Sequence, residues 1–194
     1  MRQAKALALM ITAVTISLGL CSCAPESGTP EKAAREIRVE YLAAEQFTMT
    51  IDVTADYGDK IYKFKMRWTG GAELGELEII EPEIIRGLKA EISEKSGTLV
   101  FDGAAFDTGG LFGEGASPVE IAPLMIKSWK NGYISECAKE KLYGVTAIAI
   151  TVEISDSERL ITWFDSETHI PIRAELSENG YTAIFAEFGD VVLE

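Results

Sequence analysis

From Phe47 to Trp68 the chain alternates with a period of two, and this stretch limits the fold more than any other. Phe47, Met49, Ile51 and Val53 fall on one side while Thr48, Thr50, Asp52 and Thr54 fall on the other, the signature of a half-buried strand. Asp56-Tyr57-Gly58-Asp59 reads as a turn. Beyond it Tyr62, Phe64, Met66 and Trp68 alternate with Ile61, Lys63, Lys65 and Arg67. Two such strands make a hairpin with one large apolar face. That face must be covered, so the fold needs a second layer over one side of a sheet.

Leu77 and Ile79 continue the pattern as a third strand ended by Glu81-Pro82, and a single helical turn closed by Gly87 follows. Short strands are expected near Lys89–Ile92 and Thr98–Asp102, then a glycine-rich loop from Gly103 to Gly115. Strands Thr146–Ile154, Arg159–Asp165, Ile170–Ser177 and Tyr181–Phe188 fill the C-terminal third, with Glu178-Asn179-Gly180 as a hairpin turn. Hairpins in succession imply an antiparallel meander. The cover is helical: Ser117–Asn131 carries Ser117 as cap, Pro118 at the first helical position and Glu120 three residues after the cap, with Pro123 as an internal bend. Ile121, Leu124, Met125 and Trp129 share its apolar face and Gly132 stops it. Glu31–Glu45 is open between a helix capped by Thr29, with Ala34, Ile37, Tyr41 and Leu42 in step, and a strand in which Ile37, Val39 and Tyr41 alternate. The expected class is α+β: a single curved antiparallel sheet, a half-barrel, with one or more helices packed on its concave face.

The N-terminus points to export. Arg2 and Lys5 precede an uncharged run from Ala6 to Leu20, shorter than the roughly 20 residues of a membrane span. The segment ends in Leu20-Cys21-Ser22-Cys23 and resembles a bacterial lipobox, with leucine three positions before the modified cysteine and a small residue directly before it. Counting from Cys21 would put bulky Leu20 at the cleavage point. The resemblance implies a signal peptide over 1–22 and a diacylglyceryl group on Cys23. Two acyl chains give stable anchorage to the outer face of the cell membrane. Residues 23–30 form a short tether holding Pro25, Ser27, Gly28 and Pro30, and 31–194 form one domain.

Charge narrows the partners. The formal net charge is −13, and losing the signal with its two basic and no acidic residues takes it to −15. Such a domain repels phosphate backbones, which excludes nucleic acid. With Cys23 acylated and Cys21 removed, Cys137 has no intrachain partner and reads as a small, half-buried side chain.

No residue pattern supports catalysis. The single histidine, His169, lies between a turn and Pro171 and reads as a turn residue. There is no nucleophile elbow, zinc helix or phosphate loop. Gly109, Gly110, Gly113 and Gly115 lack an adjoining lysine and enclose Glu114, so they read as a flexible rim. Asp52, Asp56 and Asp59, or Asp102 and Asp107, do not match a calcium loop and read as solvated turns. No cofactor or metal is expected. The apolar faces are the remaining candidate: Met49, Ile51, Tyr62, Phe64, Met66 and Trp68, with Leu124 and Trp129 from the helix, either line a cavity for a greasy ligand or are simply core. Exposed strands at Lys60–Trp68 or the C-terminus would also allow a homodimer.

This order of elements, together with the strand entering Asp102-Gly103, the helix after Ser117-Pro118, and Trp163-Phe164-Asp165 with Thr168 and Pro171 before the last hairpin, is similar to the LolA/LolB-like superfamily of envelope lipoproteins and lipoprotein carriers. The similarity spans roughly Glu36 to Phe188. Within it the chain looks most like the clostridial germination lipoproteins of the GerS type. The resemblance implies no enzyme activity and one of two roles: an adaptor for a cell-wall amidase in spore cortex modification, or a receptor that shelters an acyl chain in the concavity. An anchor at Cys23 favours the fixed adaptor over a shuttling carrier.

Overall fold

The computed structural model of the chain describes residues 28–93, 97–101, 104–109 and 117–194. The signal segment, Cys23, Asp102, Gly103 and most of the glycine-rich segment, including Gly110, Gly113 and Gly115, lie outside the described residues. Among the described residues no helix is long and apolar enough to cross a membrane.

Helix α1 (Pro30–Ala43) opens the domain, with Thr29 as N-cap and Pro30 in the first turn. The helical alternative holds because only the 3.6-residue period fits the burial. Ala34, Ile37 and Tyr41 are buried, whereas Val39, which alternation would put beside Ile37 and Tyr41, is 66% exposed.

Strands β1 (Phe47–Asp56), β2 (Ile61–Gly70), β3 (Leu74–Glu81), β4 (Lys89–Ser93), β5 (Gly97–Phe101) and β6 (Ala104–Gly109) run outward as successive antiparallel neighbours. A 3-10 turn, Glu83–Ile85, follows β3. Part of the segment expected to be a glycine-rich loop is thus a strand, because Ala104 to Gly109 completes a ladder with β5. Helix α2 (Ile121–Asn131) follows. Strands β7 (Tyr133–Leu142), β8 (Val145–Glu153), β9 (Glu158–Asp165), β10 (Pro171–Glu178) and β11 (Tyr181–Leu193) then return inward. β11 closes against β1 from Phe47↔Leu193 to Ala55↔Ile184. The result is one eleven-stranded sheet in the order β6-β5-β4-β3-β2-β1-β11-β10-β9-β8-β7. It is open and curled, with two α-helices among the described residues: the expected α+β class.

β6 and β7 are the sheet's opposite edges, and α2, which lies between them in the sequence, packs into the core. The helix begins at Ile121, four residues later than Ser117, and Ser117 forms no capping box; its carbonyl accepts the Glu120 amide at 3.2 Å in a preceding turn. Pro123 causes this shift. In a helix started at Pro118 its ring would meet the carbonyl four residues back, and it has no N–H to donate. Started at Ile121, the helix holds Pro123 in its first turn, where no bond is lost and no bend arises.

One core results. It joins Ile37 and Tyr41 of α1, Ile121, Met125 and Trp129 of α2, and the inward residues of the central strands. Burying each such side chain stabilises the fold by about 1.5–3 kcal/mol.

Candidate functional site

The inner face of β1 and β2 is built by cross-strand pairs, Met49 opposite Trp68 and Ile51 opposite Met66. All four are fully buried. The Trp68 Nε1 donates to the Gly70 carbonyl at 3.3 Å, and its indole lies so close over Gly75 that a Cβ there would come within 2.3 Å of a ring carbon. Phe64 is half-buried and Tyr62 exposed, at the start of β2. From α2, Leu124 is half-buried and packs on the rim of the core, while Trp129 is buried. The Trp129 indole makes edge contacts with Tyr41, Phe164 and Phe188 at 5.4–5.7 Å, and its Nε1 donates to Thr162 Oγ1 at 2.9 Å.

The eight candidate residues therefore do not form one continuous lining. Met49, Ile51, Met66, Trp68 and Trp129 are in the core, Leu124 and Phe64 at its margin, and Tyr62 beyond it. A cavity of about 10 Å³ beside Ile37, Trp129, Ile150, Val152 and Phe164 is the room left at that point. It is of the order of one water, against the roughly 300 Å³ or more of a small-molecule site.

The opposite face of the sheet carries an array absent from the sequence expectations. The Arg173 guanidinium lies 5.9 Å from the Trp163 ring centre and 5.5 Å from that of Phe185, a cation held between two aromatic faces. Trp163 Nε1 reaches across β8 to donate to Glu140 Oε2 at 3.0 Å, over the small residues Ala147 and Ala149. Arg173 also contacts Glu175, and Tyr143 donates to Glu187 Oε1 at 2.6 Å. The register supplies the missed signal: Arg173 stands opposite Trp163 on one side and Glu187 on the other.

Titratable groups follow the same logic. Glu120 is buried, its Oε1 has no hydrogen-bond partner, and desolvation pushes its carboxyl up to about 6. Cys137, half-buried on β7, has its thiol pushed up, chiefly by burial and then by Glu31. Such a thiol is a weak nucleophile. His169 adopts φ +58 at the β9–β10 turn; its Nδ1 lies 2.8 Å from Glu40 Oε1 and its carbonyl accepts the Tyr41 hydroxyl at 3.0 Å. The ring thus bridges a turn to α1. Among the described residues no group of three or more His, Cys, Asp or Glu is placed to hold a metal ion.

No family model matches the chain, and no curated protein is a close enough sequence match to count as a relative. Solved structures do share its fold. An uncharacterized conserved protein from Thermus thermophilus aligns with 84% of this chain and 88% of its own, at 12% identity and a TM-score of 0.51. The LolA superfamily protein NE2245 from Nitrosomonas europaea covers 87% and 94% at 9% identity and 0.44. One chain in the structure of the CwlD amidase from Clostridioides difficile in complex with the GerS lipoprotein gives 84% and 95% at 11% identity and 0.41. The structural neighbours thus include LolA superfamily proteins. At these identities the likeness is one of fold, and function has to be argued from the chain's own surfaces.

Proposed function

We propose that this chain is a non-enzymatic envelope lipoprotein, anchored through Cys23, that works as a protein-binding adaptor. The partner class is a cell-wall amidase, and spore cortex modification is the setting the sequence resemblance implies. One observation supports the adaptor most: the inner face of β1 and β2 is filled, with Met49, Ile51, Met66 and Trp68 fully buried in the core that both helices join. An acyl chain would have to displace indoles whose Nε1 groups are hydrogen-bonded. Recognition then falls to the outside of the domain, where Trp163, Arg173 and Phe185 stand ready-ordered. Aromatic and arginine side chains of this kind dominate protein interfaces.

The test combines three measurements on the full chain. Mixed with the cell-wall amidase of its host, it co-elutes as a stoichiometric complex in size-exclusion chromatography. Native mass spectrometry with solvent extraction gives a mass without co-purified lipid. Cys23→Ser moves the protein from the detergent phase to the aqueous phase. A stoichiometric lipid together with no amidase complex would replace the adaptor by a hydrophobic-ligand receptor.

A further inference from the structure

The turn joining β1 to β2 and the turn joining β10 to β11 lie side by side, because β1 pairs with β11 as far as Ala55↔Ile184. Between them is an open cleft of about 470 Å³ lined by Tyr57, Tyr181, Asp56, Glu178 and Asn179 among others. Aromatic surface is concentrated here: Tyr57 is 45%, Tyr62 43% and Tyr181 50% exposed. The rings are ordered. Tyr62 stacks on Phe64 at 6.5 Å and meets Tyr57 edge-on at 6.0 Å, so a ladder of aromatics climbs out of the core to the cleft.

The cleft is also negative and preorganised. Asp56 Oδ1 accepts the Gly58 amide at 2.8 Å, and the Tyr181 hydroxyl bonds to the same carboxylate, which raises the Tyr181 pKa. The Asn179 amide donates to the Ser157 carbonyl at 2.7 Å, pinning the second turn. In the ladder, Glu178 stands directly opposite Glu158, so a second acidic residue lies beside the cleft. Among the described residues neither Asp56, Asp59 nor Glu178 has an ion-pair partner; Lys60 is the basic residue of the first turn.

We infer that this cleft receives an arginine side chain from a basic loop of the protein partner. A guanidinium is flat enough to stack on tyrosine and forked enough to bond a carboxylate at the same time. The formal charge of −13 would steer a basic surface toward the domain. The inference rests on the adaptor reading for its partner, and on the cleft alone for its chemistry.

The experiment uses the full chain in detergent micelles with ring-labelled tyrosine, titrated with the peptide acetyl-Arg-Gly-Arg-amide and followed by NMR. The chain has six tyrosines, so the exposed Tyr133 and Tyr143 serve as internal controls. The Tyr57, Tyr62 and Tyr181 signals shift together along one saturation curve, the controls stay in place, and the citrulline analogue of the peptide has no effect. Glu178→Gln, at the surface and harmless to folding, weakens the peptide about threefold, and Tyr181→Thr weakens it about fivefold. Shifts spread equally over the controls, equal shifts with the citrulline peptide, or no shifts at all overturn the inference. Loss of the amidase complex with the peptide response intact overturns the adaptor and leaves the cleft's chemistry standing.

Discussion

The Arg38 guanidinium, on α1, donates to the Gly132 carbonyl just past the end of α2 at 2.7 Å, and also reaches the Trp129 carbonyl at 3.3 Å. Lys130, on α2, returns the arrangement by donating to the Ala44 carbonyl at the end of α1 at 2.7 Å. Each helix thus places a cation on the other's C-terminal carbonyls, where the dipole favours it. The clamp fixes the two covering helices to one another over the sheet.

Arg38→Met removes both bonds while keeping a long apolar stem. It lowers stability by about 1.5–3 kcal/mol, the usual value of a charge-assisted bond. Urea unfolding shows this as a lower midpoint with an unchanged slope. A slope that falls along with the midpoint would mean that the helices detach before the sheet unfolds.

Two glycines separate crowding from backbone strain. Gly75→Ala drives a methyl into the Trp68 indole and costs about 1–3 kcal/mol through overpacking. Gly180 has φ +80 with open space around it, so Gly180→Asn, a residue that accepts the left-handed region, leaves the thermal midpoint nearly unchanged. Equal losses at the two sites would contradict the close approach of β3 to Trp68.

What could be read from the sequence, and what could not, divides along physical lines. β1 and β2 were legible because one face is buried and the other wet, which writes a period of two into the residues. The same pattern runs on through Phe64 and Tyr62, beyond the buried part of β2, so periodicity alone could not show where core stops and surface begins. β7 left no such mark: it is an edge strand, exposed along most of its length, with Glu136, Lys139, Glu140 and Lys141 in it. The turn after it, Tyr143-Gly144 at φ +50 and +87, hides behind a tyrosine where asparagine would signal it. Ser117-Pro118 with Glu120 imitated a helix start that Pro123 forbids. The Trp163–Arg173–Phe185 array needed the register of three strands before it could be seen.

The Trp129–Thr162 hydrogen bond ties α2 to β9 inside the core. Trp129→Phe keeps a ring but leaves the Thr162 hydroxyl buried with no partner, at a cost of about 1–3 kcal/mol. Adding Thr162→Val removes the orphaned group. The double variant is therefore more stable than the sum of the single losses, by about 0.5–3 kcal/mol in a double-mutant cycle. Strict additivity would mean that the hydroxyl finds another partner.

Stability also depends on pH in two separate windows. Glu120 has an ordinary value near 4.5 and is raised to about 6 by burial, so the folded protein holds its proton more tightly than the unfolded chain. Its contribution is present in full below 4.5 and is lost as pH rises through 6. Asp165 runs the other way. The amides of Thr168 and Glu167 donate to its Oδ1 at 2.9 and 2.8 Å, and the Thr168 amide above all lowers its pKa from 3.8. Its contribution is present above 3.8 and lost as pH falls further. Glu120→Gln flattens the decline between 4.5 and 6 in denaturation measured across pH and leaves the acid limb in place, whereas Asp165→Asn weakens the acid limb alone. A Glu120→Gln protein that keeps the full decline would show that another group carries it.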